Sequence, residues 1–349
     1  MDRFKSLLSG QSLSGQSLSG QSLSGQLLSG RLLSGRLLSG RLLLPPVFLV
    51  PVLLVLALLL GLTDSFAQDE EEEEPPVRLG QISVSFYAVT GQVVQLVLER
   101  LDHEVERSTG SHSAIFPQLG QGSLDLLVAA WLPHAHARYW RQYGGDAVEL
   151  ATLYDGAQLF WAVPHYVPVS EVASVEDLKK PSVSNRMSKF IRATKPDSGL
   201  SMGSKRIMQA YNLEAYGYRL QTGGHSQWQR NFERRYAVRD WFVMPYFQPN
   251  FLNQMAQMRK LEEPRNLLGE ANRAVLVAHK KFVDNAPERT VNVLRRIELD
   301  LDAVAAMDYM VRIDRLSARG AARRWMSANA ERVDAWFAEE QSEEDADYR

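Results

Sequence analysis

The sequence predicts an α/β protein built as two lobes, with parallel-dominated sheets flanked by helices and a ligand cleft between the lobes. Three observations lead there. Strand-like and helix-like patterns alternate along residues 77–165, the order that builds parallel sheets covered by helices. Residues 166–272 carry a second set of helix and strand patterns. Beyond Pro264 the chain returns to an apolar strand at 273–278 and then to helices up to 337. A second lobe (166–272) inserted between two halves of the first (77–165 and 273–337) is the economical arrangement, and the span is long enough for two domains of ordinary size.

Taken in order, QISVSF (81–86) alternates apolar and polar residues as a strand does. Residues 90–101 have helical spacing through Val93, Val94, Val97, Leu98 and Leu101. Residues 103–106 read as a second strand, 114–119 as a helix, and 125–130 as a buried strand. The apolar run 158–163 is stopped by Pro164. In the second lobe, SVEDL (174–178) opens a helix, 201–211 reads as a helix and 241–244 as a strand. Ligands of such sheets bind at the carboxyl ends of the strands.

The formal net charge of -2 over 349 residues gives no basic surface for nucleic acid. The chain has no cysteine, which excludes disulfides, thiolate metal sites, a cysteine nucleophile and a lipidated cysteine anchor. His134 and His136 are two apart but have no third ligand at a suggestive spacing, so no metal is expected. No G-x-S-x-G elbow or phosphate-binding glycine loop occurs, and Gly120 and Gly122 lack a third partner. An enzyme is therefore not expected, and neither is a cofactor.

Residues 1–67 are read as leader rather than fold. From 7 to 41 the chain repeats every five residues, first SLSGQ and then LLSGR, a period that suits neither helix nor strand. An apolar stretch at 42–62 follows Arg31, Arg36 and Arg41, and Ser65, Phe66 and Ala67 supply a cleavage site. The expectation is a signal peptide cleaved after Ala67, with an uncleaved membrane anchor as the alternative. Either places the rest outside the cytoplasm. Residues 68–76 form an acidic, proline-ended linker, and 338–349 an acidic tail.

Three segments set bulky aromatics where strands end, beside turn-forming residues. They are AAWLPHAH (129–136), LYDGAQLFWAVP (153–164) and YFQPNF (246–251). Core packing explains most aromatic residues in such a chain. It fits poorly at Trp131 and Phe247, each of which abuts a proline turn and is assigned to a strand-end loop. Rings converging there would hold a cation that donates no hydrogen bonds, such as trimethylammonium, through their negative faces.

The same segments carry a resemblance. AAWLPHAH followed by LYDGAQLFWAVP is similar to the glycine betaine/proline betaine substrate-binding proteins of ABC importers, which carry AWLP-x-x-H and YxGAxxGxAVP segments in this order. GQGSLDLLVAAWLP (120–133), SVEDL (174–178), KPDSGL (195–200) and MPYFQPNFLNQMAQMRKLEEP (244–264) extend it from about residue 82 to 337. The resemblance implies a type II periplasmic-binding-protein fold, closure of two lobes about connections near 164–168 and 263–272, and an aromatic cage for a quaternary ammonium. It implies that Trp131 is a cage wall and that Phe247 and Phe251 replace the family's two tryptophans. Phe86 and Tyr87 are candidate further walls, and His136 occupies the matched histidine position. Asn250 replaces the histidine of the family's Ser-Pro-His segment. Backbone N–H groups at Ser198 and Gly199 are candidates for the ligand carboxylate. Asp197 stands in the family's glycine-rich turn, where a carboxylate facing the cleft would repel a betaine and favour choline. The expected partner is an ABC permease of the inner membrane, served by a periplasmic monomer. A choline or other cation binder, or a membrane-tethered sensor domain with the same fold, stays open beside it.

Overall fold

The computed structural model describes residues 74–338, so the repeats, the cleavage site after Ala67, most of the acidic linker and the acidic tail lie outside the described residues. Among the described residues no helix is long and apolar enough to cross a membrane.

The chain runs β1 (Val77–Ile82), α1 (Ser85–Glu99), β2 (Val105–Gly110), α2 (His112–Gly120), β3 (Leu126–Leu132), α3 (Ala137–Tyr143) and β4 (Ala147–Pro164). It continues through α4 (Pro181–Ser184), β5 (Phe190–Arg192), α5 (Gly199–Ala210), β6 (Arg219–Gln221), α6 (His225–Ala237), β7 (Met244–Gln248) and β8 (Met258–Lys260). Then come β9 (Asn272–His279), α7 (Lys280–Asn285), α8 (Glu288–Arg296), α9 (Leu301–Arg312), α10 (Ala318–Ala328) and α11 (Ala330–Ala335). Seven strands form one sheet in the order β2-β1-β3-β9-β4-β7, with β8 also on β4; β5 and β6 form a second, two-stranded sheet. The fold is α/β and two-lobed, as expected, but the main sheet is mixed. Parallel pairing is confined to β1 with β2 and β3, and to β5 with β6, whereas β9 and β4 pair antiparallel with all their neighbours. The returning strand β9 lies between β3 and β4 and runs against both, which needs no crossover helix.

β3 is buried along its whole length, LLVAAWL, as a central strand covered on both faces must be. Its register against β9 shifts between Leu127 and Ala130, and Ala129 sits there at φ 61, in the left-handed region that a residue with a Cβ rarely adopts. This bulge lies two residues before Trp131 and re-aims the end of the strand. β4 is longer still. It pairs with β9 up to Ala157 and with β7 from Gln158, changing partner next to Gly156, whose φ of 76 suits glycine.

Several sequence expectations shift. The strand expected at 81–86 ends at Ile82, and α1 begins at Ser85, so Phe86 and Tyr87 lie in the first turn of a helix. Phe86, Val89, Val93 and Val97 recur at helical spacing and are buried, which overrides the short alternation. The strand expected at 241–244 is Met244–Gln248, because the continuous apolar run 242–247 does not mark its own ends. Residues 153–157 lie inside β4, and SVEDL gives the single 3-10 turn Glu176–Lys179. Trp131 and Phe247 are both within strands rather than in strand-end loops, since pairing continues through Trp131↔Ala274 and Leu159↔Phe247.

The terminal helices close over α1. Arg319 of α10 makes a two-pronged ion pair with Glu99 at 2.6 and 2.8 Å, and Trp325 stacks with Trp336 at a centroid distance of 6.4 Å.

Candidate ligand-binding site

Phe86, Tyr87, Trp131 and Phe247 line one cavity of about 80 Å³. Each ring arrives on a different kind of support. α1 brings Phe86 and Tyr87 in its first turn, the bulged end of β3 brings Trp131, and β7 brings Phe247 from the edge of the sheet. The Phe86 ring lies between the others, 5.4 Å from Trp131 and 5.3 Å from Phe247 between centroids, and Tyr87 is 6.0 Å from Trp131. All four are tilted to one another by 35 to 48°, so they wrap a concave surface instead of stacking flat.

The indole N–H of Trp131 donates to the Tyr154 hydroxyl at 3.0 Å, and its backbone N–H donates to Nδ1 of His136 at 2.9 Å. The first bond removes the polar atom of the indole from the cavity, leaving its π face to a ligand. Accepting through Nδ1 leaves His136 its hydrogen on Nε2, 3.5 Å from the Tyr87 hydroxyl. Burial, together with the neighbouring His112, holds His136 well below the usual histidine range, so it is a neutral support. Burial likewise pushes the Tyr87 and Tyr154 hydroxyls above their ordinary range, and both stay uncharged.

The other side of the cavity is polar. Lys195, Thr194, Ser198, Gly199 and Leu200 line it beside Ser83, Ser111, His112 and His225. Four helices begin here: α1 after Val84, α2 after Ser111, α5 after Ser198 and α6 after Gly224. Those of α1, α5 and α6 present the positive end of their dipoles and unpaired N–H groups, whereas that of α2 is met by the Asp197 carboxylate on the Ser113 N–H. Ser198 caps α5 by accepting from the Ser201 N–H at 3.1 Å, while its own N–H is spent on the Lys195 carbonyl. The donors left for an anion are the amides of Gly199 and Leu200, for which no partner occurs among the described residues. Gly199 packs directly on the carbonyl oxygen of Ala135, where a Cβ has no room.

The sequence-predicted residues thus divide. Phe86, Tyr87, Trp131, His136, Ser198, Gly199 and Phe247 converge on the cavity. Phe251 and Asn250 do not line it. Phe251 is fully buried in the 3-10 turn Phe251–Gln254, its N–H donating to Asp308 and its ring under the Arg312 guanidinium at 5.5 Å. Asn250 caps that turn, accepting from the Leu252 N–H at 2.8 Å and donating to the Phe247 carbonyl. The resemblance implies a cage position for Phe251 and the family's histidine position for Asn250, yet the turn sets both apart from the cavity, with Phe251 against α9. Asp197 is turned outward as well. Its carboxylate accepts from the N–H and hydroxyl of Ser113 at 3.2 and 3.1 Å, and its carbonyl accepts from the Tyr139 hydroxyl at 2.8 Å. Burial opposes its charge, but the Ser113 bonds and nearby His112 outweigh it and keep its pKa below the ordinary value.

His112, Lys195 and His225 escaped sequence reasoning. His112 and His225 each open a helix, after Gly110-Ser111 and Gly223-Gly224, and a glycine turn followed by a polar ring is the signal by which they could have been found. The His225 ring lies 5.6 Å from Phe247 and stacks on Trp228 at 5.0 Å; Trp228 in turn backs Phe247 at 5.1 Å. Burial lowers His225 to about 3 and His112 to about 4, so both are neutral near pH 7.

Comparison with known proteins identifies the family and the fold. The profile of the OpuAC family, the substrate binding domain of ABC-type glycine betaine transport systems, matches residues 75–328. A glycine betaine/carnitine transport binding protein of Listeria monocytogenes serotype 1/2a (strain 10403S) is 24% identical over 110 residues, covering 32% of this chain and 36% of that relative's length. The crystal structure of a lactococcal family member, closed around glycine betaine, superposes with a TM-score of 0.68 at 20% identity, over 76% of this chain and all of the other. A choline-binding protein of an ABC transporter, in complex with choline, superposes at 0.66 with 14% identity, over 75% of this chain and 91% of the other. The chain belongs to the substrate-binding family of ABC-type glycine betaine transport systems.

Proposed function

We propose that this chain is the periplasmic receptor of an ABC importer and that it captures glycine betaine or a closely related betaine. The observation that carries the reading is the division of the cavity into two chemistries. Four aromatic rings suit a trimethylammonium group, which attracts π faces and donates no hydrogen bond. Opposite them, Lys195, the Gly199 and Leu200 amides and the converging helix N-termini suit a carboxylate. None of the described residues lining the cavity is acidic, and Asp197 is engaged with Ser113. Choline, which has no carboxylate, would leave the polar side unanswered.

On this reading 77–157 with 273–337 closes against 158–272, the boundary falling before the 165 expected from the sequence because β4 from Gln158 pairs with β7 and β8. The change of partner in β4 beside Gly156, and Gly269 at φ 80 before β9, are the points where the backbone turns between them. Closure joins Asp197 to Ser113 and Gly199 to Ala135, and the closed form docks on an inner-membrane permease as a monomer. The leader directs export, and the receptor performs no chemistry on its ligand.

Calorimetry with glycine betaine, proline betaine, carnitine and choline tests this. The betaines are expected to bind saturably and more tightly than choline, with no product formed. Indifference to all four would contradict the reading, and a clear preference for choline would contradict the role given to the polar wall.

A further inference from the structure

The cavity holds an electrostatic conflict. The N-termini of α1, α5 and α6 and Lys195 that suit a carboxylate also repel a cation, that of α2 being met by Asp197, and two of the four cage rings, Phe86 and Tyr87, sit on the first turn of α1 itself. That helix has no acidic residue in its first turn and no side-chain cap. The missing negative charge comes from elsewhere in the chain. Asp308, on α9, is 1% exposed and accepts the Phe251 N–H through Oδ2 at 2.8 Å. The buried hydroxyl of Ser85, the first residue of α1, stands against this carboxylate and favours its charged form. A carboxylate buried this deeply is costly to a fold and calls for a reason.

We propose that Asp308 is the counter-charge of the cage, cancelling the positive end of α1 behind the rings so that the site accepts a quaternary ammonium. The assignment rests on the quaternary-ammonium reading above. Asp308 does not touch the ligand; it acts through the field at Phe86, Tyr87 and Trp131. Its neighbours lead to those rings. Ser85 precedes Phe86, and Tyr154, whose hydroxyl feels the Asp308 charge, holds the Trp131 indole.

The groups facing Asp308 are few. Its own helix supplies Arg312, whose guanidinium also covers Phe251, β4 supplies Tyr154, α1 supplies Ser85, and the 3-10 turn supplies the Phe251 amide. On α10, Arg319 is committed to Glu99. Burial raises Asp308 to about 6, against the pull of Ser85, Phe251 and Arg312. A ligand cation favours the ionised form, so binding expels the proton. The cavity histidines titrate well below this range, at about 4 for His112 and about 3 for His225, with His136 also far below its usual value.

The test is calorimetry of glycine betaine, which stays zwitterionic throughout, with the full chain at pH 8 and pH 5. At pH 5 about ten of every eleven unliganded molecules carry a protonated Asp308, so affinity should fall about tenfold. Titration at pH 6 in two buffers of different ionisation enthalpy should show release of roughly half a proton per ligand. Asp308→Asn should bind equally at both pH values and no better than wild type at pH 5. Wild-type binding without the pH step or proton release would overturn the role of Asp308 alone, as would a variant that keeps the step. Absence of wild-type binding at both pH values would overturn the ligand reading and this assignment with it.

Discussion

Nδ1 of His136 accepts the backbone N–H of Trp131 at 2.9 Å, a side chain five residues on that fixes the end of β3. With the bulge at Ala129 before it and Asn272 accepting the N–H groups of His134 and Ala135 after it, the Trp131 ring is held from both sides. The cage is thus pre-organised by backbone hydrogen bonds, which lowers the ordering cost of binding.

Trp131→Phe should keep a ring in the cage, lose the bond to Tyr154 and weaken betaine binding. Cation–π attraction is strongest for tryptophan and reaches about 2 kcal/mol in a desolvated site. A loss of roughly three- to thirtyfold in affinity is expected by calorimetry, with far-ultraviolet circular dichroism unchanged. Trp131→Ala should cost more on both counts, because it also leaves a cavity in the core.

Stability should fall as pH drops from 7 to 5. The folded-state pKa values of His112, His136 and His225 are depressed by burial, so below about 6.5 the unfolded chain binds protons that the folded chain refuses. Each histidine then costs roughly 2 kcal/mol at pH 5. Asp308, raised to about 6, acts in the opposite sense, since the folded chain takes up its proton before the unfolded one and regains on the order of 1 kcal/mol over the same interval. A net loss of about 4 to 5 kcal/mol is expected from urea unfolding at the two pH values. In Asp308→Asn the ligand-free protein should be more stable than wild type at pH 8, by about 3 kcal/mol at most, with the difference vanishing towards pH 4. That gain and the weaker binding expected of the same variant form a trade between stability and function.

Gly199→Ala should impair closure rather than folding. An added Cβ would meet the Ala135 carbonyl, which belongs to the loop after β3, whereas Ala is a better helix former than Gly at the start of α5. Small-angle scattering with saturating betaine is expected to show a larger radius of gyration for the variant, and affinity should fall at least tenfold. Compact, tightly binding Gly199→Ala would contradict the close approach of Gly199 and Ala135 in the bound state.

Much of the scaffold was legible in the sequence. The apolar runs at 125–130 and 273–278 are β3 and β9, and AWLP-x-x-H located both Trp131 and the histidine that supports it. The errors lie where local pattern is ambiguous. ISVSF alternates as a strand does, but Phe86 also starts a buried helical stripe that only tertiary packing selects. Phe251 and Asn250 stand beside the right proline, yet the 3-10 turn sets Phe251 against α9 and spends Asn250 on capping the turn. Asp308 could not be found locally at all, since it reaches α1 from 223 positions further along the chain (308 less 85). Lys195 and His225 looked like ordinary loop and helix residues until the helix N-termini were brought together.

The most direct test of the central claim compares glycine betaine with 3,3-dimethylbutanoate, which replaces the ammonium nitrogen by carbon and keeps the shape and the carboxylate. Calorimetry should give saturable binding of glycine betaine and an affinity for the carbon isostere, whose head group is uncharged, lower by about thirtyfold or more, the worth of the lost cation–π attraction. Equal affinity for the two, or binding of neither, would contradict an aromatic cage for a quaternary ammonium formed by Phe86, Tyr87, Trp131 and Phe247.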